Sequence, residues 1–132
     1  MGLYNFKKRF VPFIESGEKT HTIRAKRKYP SKAGDMLYLY EGLRTKRARR
    51  ILVTKCVRVD DIEIFVTGWN KRIPEPKAVI WIGGQKLSED EIEAFAQRDG
   101  FESFADMMKF WQDDRREFPL RGDVIHWRFP GI

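Results

Sequence analysis

Val11-Pro12-Phe13-Ile14-Glu15-Ser16-Gly17-Glu18-Lys19-Thr20-His21-Thr22-Ile23-Arg24 is the stretch on which the fold turns. Pro12 suits the first turn of a helix, where its missing amide is not needed and its φ is already helical. Gly17 can take the left-handed conformation that ends one. The spacing predicts a short helix over 11–16, a stop at Gly17 and a strand over 20–24. Strand alternation puts Thr20, Thr22 and Arg24 on one face. Lys19 falls in the turn just before, from which it can reach the same cleft. A lysine, a hydroxyl and a guanidinium thus gather beside the basic run Lys26-Arg27-Lys28 and Tyr29.

Outward from this stretch, strands outnumber helices. Ser31-Lys32-Ala33-Gly34-Asp35 is a turn, and 36–40 is a strand with Leu37 and Leu39 on one face and Met36, Tyr38 and Tyr40 on the other. A very basic connection follows over 42–50. The strand 51–59 shows Ile51, Val53, Val57 and Val59 as its core face. Asp60-Asp61 breaks it, and the strand resumes over 62–66. Pro74-Glu75-Pro76 marks irregular chain, and 78–82 is a strand ending at the turn Gly83-Gly84.

Two helices come next. Ser88 with Glu91 fits a capping box, Ile92, Phe95 and Ala96 form an apolar stripe, and Asp99-Gly100 closes the helix. Ser103 with Asp106 repeats the capping signal, and Phe104, Met107, Met108 and Trp111 continue at helical spacing. A last strand covers 124–129, with Ile125, Trp127 and Phe129 facing one way. No βαβ alternation appears. The order predicts one α+β domain over 1–132: a small mixed or antiparallel β-barrel, with a short N-terminal helix and a helix pair before the last strand. That strand is expected to return to an early one and close the barrel.

Composition narrows the setting. Of 132 residues, 42% are hydrophobic and 14% aromatic, enough for a packed core and against disorder. Cys56 is the single cysteine, so no intramolecular disulfide or multi-thiolate zinc site can form. No apolar run approaches the roughly 20 residues of a membrane span. The N-terminus lacks the apolar stretch of a secretory signal. A cytoplasmic protein is expected, with no membrane partner. The charge is uneven: residues 1–60 hold 16 Lys/Arg against 5 Asp/Glu, a net of +11, and residues 61–132 hold 10 against 14, a net of −4. One face made for an anion is implied, and nucleic acid is the obvious polyanion.

Arg24, Lys26, Arg27 and Lys28 form one basic cluster, and Arg44, Lys46, Arg47, Arg49 and Arg50 a second. With Tyr29, Tyr38 and Tyr40 nearby, they match how single-stranded RNA is held, by cations on phosphates and rings on splayed bases. Barrel packing of the tyrosines and a solvated loop at 44–50 are the plainer alternatives. Lys19 works as base or nucleophile only if desolvation or a nearby cation lowers its pKa; otherwise its spacing fits a surface salt bridge. His21 is a general base or a structural histidine, and His126 sits opposite the apolar face of the last strand. Cys56 in a hydrophobic strand is expected to be packed and inert. No metal spacing, phosphate-cradling glycine loop or Ser-His-Asp arrangement is present, so neither metal nor cofactor is expected.

Gly17-Glu18-Lys19-Thr20-His21-Thr22-Ile23-Arg24 resembles the G-x-K-x-x-T-x-R motif of the ASCH domain family. Downstream, Asp99-Gly100-Phe101-Glu102-Ser103, continuing to Met107, Phe110 and Trp111, resembles the helical D-G-F-x-S segment of its bacterial and phage members. Gly34-Asp35 and Gly122-Asp123, each before a strand, also fit. The resemblance spans nearly the whole chain in order. It implies a PUA-like barrel whose cleft is lined by the motif's lysine, threonine and arginine. One branch of the family deacetylates N(4)-acetylcytidine with a lysine, a threonine and a glutamate. Those roles fall on Lys19, Thr22 and Asp99, the last one methylene shorter than glutamate. Other members are ribonucleases for single-stranded RNA. The expected function is binding of RNA or a nucleotide in the basic cleft. The alternative is a hydrolase of RNA or a modified pyrimidine nucleoside, with Arg24 stabilising charge. A second alternative is a protein-interaction module using the acidic face of Glu89, Asp90, Glu93 and Glu102.

Overall fold

The computed structural model describes residues 2–67 and 77–130. Pro74-Glu75-Pro76 lies outside them. The first strand, β1 (Gly2–Phe6), has no counterpart in the sequence reading and pairs in parallel with β3 (Met36–Glu41). Between them come α1 (Val11–Ser16) and β2 (His21–Ala25). The strand β4 (Arg49–Thr67) runs 19 residues and organises the sheet. It pairs antiparallel with β3, with β5 (Lys77–Ile82) and with β7 (Leu120–Trp127), while β6 (Gln85–Lys86) hairpins onto β5. The helices α2 (Glu89–Arg98) and α3 (Phe104–Asp113) precede β7. This is a mixed α+β protein with a seven-stranded sheet and three short helices among the described residues.

The last strand does return to an early one: β7 pairs antiparallel with β2. The sheet nevertheless stays open, which corrects the expected closed barrel. β1 ends one path and β2 another, and the two share no ladder. Side chains bridge the seam instead. Arg24 Nη2 donates to the Asn5 carbonyl at 2.7 Å, and Arg27 Nη1 to the Leu3 carbonyl at 3.1 Å.

Two readings of β4 need correction. Asp60-Asp61 does not break the strand, because both carboxylates are engaged. Asp60 accepts from Arg58 and meets His126 at 3.0 Å, and Asp61 accepts from Lys26 at 2.6 Å. The inner face also differs in part from the sequence reading: Ile51 and Val59 do pack against the core, but Val57 does not. Leu37 and Leu39 are fully buried and stand opposite Thr54 and Leu52, and cross-strand partners share a face. Thr54 and Cys56 therefore point inward, and Val57 is 47% exposed. The polar Thr54 is tolerated inside because its hydroxyl donates to the Arg128 carbonyl at 2.7 Å. The last strand also starts earlier than read, at Leu120, and ends at Trp127.

The helices form for the reasons legible in their ends. Gly17 has φ 85°, and a Cβ there would lie 2.7 Å from the Phe129 ring, so only glycine fits. Ile14 is fully buried and anchors α1, a contribution of about 2 kcal/mol. Ser88 and Glu91 make the reciprocal capping box. Ser103 accepts from the Asp106 amide, but Asp106 accepts from the Glu102 amide rather than completing a box. Phe95, Ala96, Met107 and Trp111 pack the helix pair onto the core with Val124, Ile125 and Trp127.

Candidate functional site

Two helix ends build the site. After α1, the Lys19 amide donates to the Phe13 carbonyl at 2.9 Å, which turns the chain back and fixes Lys19 just before β2. After α2, the Gly100 and Phe101 amides return to the Gln97 and Ala96 carbonyls, with Gly100 at φ 99°. That turn brings Asp99 face to face with Lys19. Lys19 Nζ donates to Asp99 Oδ1 at 2.5 Å and to the Asp99 carbonyl at 2.7 Å. The cation thus sits at the negative end of α2. His21 Nε2 lies 3.1 Å from the same Oδ1, off the line of a good hydrogen bond, and has no other partner among the described residues.

Lys19 and Asp99 are 2% and 6% exposed. Burial pulls the Lys19 ammonium below the ordinary lysine value, and Asp99 offsets only part of that. Burial works upward on Asp99, but Lys19 and His21 outweigh it and hold the carboxyl below its usual range. Burial thus shifts Lys19 in the direction a reactive lysine needs, and the ion pair it forms is buried rather than on the surface.

A cavity of about 170 Å³ opens on this pair. Its polar lining includes Lys19, Thr22, Arg24 and Asp99, with Asn5, Lys7, Asp114 and Arg116 from distant parts of the chain. Phe10, Phe101 and Phe110 form an apolar wall, their rings edge to face or tilted with centroids 5.3–5.4 Å apart. Arg24 Nε donates to Thr22 Oγ1 at 3.1 Å. Burial, with Arg27 and Arg116 nearby, brings Arg24 down to about 10. A shallower groove continues from Asn5 and Arg24 along the open seam, past Leu3, Arg27, Leu43 and Arg44.

The structure divides the remaining sequence-derived candidates. Arg24, Arg27 and Arg44 share the seam groove. Lys26 does not stand free for a phosphate: Asp123 and Asp61 hold it at 2.5 and 2.6 Å. Arg49 pairs with Glu41 at 3.2 Å and approaches Glu15 at 3.8 Å. Lys28, Lys46, Arg47 and Arg50 are exposed, with no ion pair among the described residues, and line neither the cavity nor the groove. Tyr29 is 81% exposed, whereas Tyr38 and Tyr40 are half-buried in β3. Cys56 is buried, and burial pushes its thiol up, away from reactivity. One member of the acidic helix face is already used, since Glu93 accepts from the Phe104 amide. Sequence reasoning missed Asn5, Lys7, Asp114, Arg116 and the phenylalanine wall. They come from β1 and the ends of other elements, and no local pattern joins them to residues 17–24.

No described helix is long and apolar enough to cross a membrane. Compared with known proteins, the chain matches no family model, no curated sequence and no solved structure.

Proposed function

We propose that the chain is an ASCH-type protein with a PUA-like architecture that binds RNA or a nucleotide at the Lys19–Asp99 cavity. One observation carries this reading. Lys19, Thr22, Arg24 and Asp99, 80 residues apart at the extremes, line one cavity that runs into a groove edged by Arg24, Arg27 and Arg44. The cavity offers a planar ligand an aromatic wall and several polar partners. The groove offers phosphates the guanidinium groups of Arg24 and Arg27, which donate to the Asn5 and Leu3 carbonyls and, from Arg24, to the Thr22 hydroxyl.

A hydrolytic role is the second reading, favoured by the buried pair itself. A lysine pulled down by desolvation, a hydroxyl and a carboxylate in one cavity are the groups that attack on an acyl or phosphoryl centre requires. In that reading Lys19 and Thr22 act on the substrate, Asp99 carries the proton and Arg24 stabilises developing charge.

The test is fluorescence anisotropy with labelled single-stranded RNA over a series of salt concentrations. Binding that weakens steeply with salt, and loses about one unit of slope on Arg27→Ala, is expected. Absence of binding at low salt, to RNA and to cytidine 5′-monophosphate alike, would refute it.

A further inference from the structure

The cavity does not balance its own charges. Lys7, Lys19, Arg24 and Arg116 line it against only two carboxylates, Asp99 and Asp114, a formal excess of two positive charges. Asp99 is taken up by Lys19. Asp114 is shared, with Lys7 Nζ 3.1 Å from one oxygen and Arg116 Nε donating to the other at 3.2 Å. Arg24 pairs with no carboxylate among the described residues and donates to the Thr22 hydroxyl and the Asn5 carbonyl instead. The cations are close enough to act on one another. After burial itself, Arg27 and Arg116 press Arg24 down, and Arg24 and Arg116 do the same to Lys19. A partly buried excess of one sign is costly until a counter-charge enters, and it draws that charge in.

The fold holds Arg116 in this position. Arg115 takes φ 54°, and the Arg116 amide returns to the Trp111 carbonyl at 3.0 Å, which closes the end of α3 and turns the chain back. The ion pair with Asp114 uses Nε alone, so the outer edge of the guanidinium fork faces no carboxylate among the described residues.

We propose that the ligand enters this cavity as a phosphate monoester, the end of an RNA chain or a free mononucleotide, with its terminal phosphate between Arg24 and Arg116. This rests on the reading that the cavity binds RNA or a nucleotide, and narrows it. A phosphate monoester carries about −1.5 to −2 at neutral pH and matches the excess. An internal diester brings only about −1. Two guanidinium forks suit the several free oxygens of a terminal phosphate. At about 170 Å³ the cavity suits one terminal group beside the phenylalanine wall. Arg24 lines both cavity and groove, and the groove adds Arg27 and Arg44 with no carboxylate in its lining. The diesters of a longer chain would follow there.

The test is fluorescence anisotropy at about pH 7.5, where a phosphate monoester is mostly the dianion. One internally labelled single-stranded RNA is compared with hydroxyls at both ends, with a 5′-phosphate and with a 3′-phosphate. Cytidine and cytidine 5′-monophosphate serve as free competitors. A terminal phosphate is expected to tighten binding about tenfold or more over its hydroxyl counterpart in at least one of these pairs, and that pair names the source. Arg116→Gln should bring the ratio below about threefold, while Arg47→Ala on the exposed connection keeps it. Ratios near one in every wild-type pair would overturn the proposal and leave RNA binding standing. So would a ratio that Arg47→Ala lowers as much as a folded Arg116→Gln does. Binding of none of these ligands at low salt would defeat the functional reading, and this proposal with it.

Discussion

Lys19 and Arg24 lie in a cavity, each facing partners fixed by the fold, while Lys46 and Arg47 lie on an exposed connection and Arg50 at the exposed start of β4, with no ion pair among the described residues. Both regions read as basic clusters in the sequence. The first has its cations shifted by burial, so their protonation and geometry depend on named neighbours. The second is solvated and screened, and contributes to the long-range field. Density of charge along the chain thus marks where an anion is drawn in, and burial marks where it would be handled.

The sharpest way to break the contrast is to strip the buried pair. Asp99→Ala leaves the Lys19 ammonium buried without its carboxylate, and a loss of about 3–5 kcal/mol is expected by urea denaturation. A loss under about 1 kcal/mol would mean the pair is open to water. Replacing both members, Lys19→Met with Asp99→Leu, should recover most of that stability, since packed apolar groups serve as well as a buried ion pair. The pH dependence has a fixed sign. The folded Asp99 carboxyl lies below its ordinary 3.8, so its contribution is complete above that value and lost as pH falls through the folded one. The double variant should therefore lose less stability on acidification than the wild type.

A smaller effect is expected from the strand that carries the cavity residues. A Cβ on Gly122 would lie 2.2 Å from the Arg24 carbonyl oxygen, across the β2–β7 ladder. Gly122→Ala should push β2 away, cost about 1–3 kcal/mol and disturb Thr22 and Arg24 together. An unchanged melting temperature would show that the ladder yields freely. The smallest effect belongs to the exposed connection. Arg47→Ala should stay within about 0.5 kcal/mol of wild type in stability and reduce the salt slope of RNA binding by well under the roughly one unit of a lost phosphate contact.

Much of the frame was legible because it is local. Helix stops at Gly17 and Gly100, the caps at Ser88 and Ser103, and the alternation of Leu37 and Leu39 each depend on a few neighbouring residues. What escaped depends on distant partners. The inward turn of Thr54 follows from Leu37 opposite it and from the Arg128 carbonyl 74 residues on. Asp60 and Asp61 look like a strand break until Arg58, His126 and Lys26 are set beside them. Lys26 looks like a phosphate contact until Asp123 is. Lys19 and Thr22 stand out in the local pattern and Asp99 only through the resemblance, and their spacing gives no hint that Asp99 meets Lys19.

Thr22→Val tests the central claim most directly, because it removes one cavity hydroxyl without touching the buried ion pair. Single-stranded RNA binding and N(4)-acetylcytidine turnover would be measured for the wild type, Thr22→Val and Arg47→Ala. If the cavity is the working site, Thr22→Val loses about tenfold or more in affinity or rate, equivalent to about 1.4 kcal/mol, and Arg47→Ala loses less than about threefold. The reverse order, with Arg47 mattering and Thr22 not, would place function on the exposed connection and contradict the account.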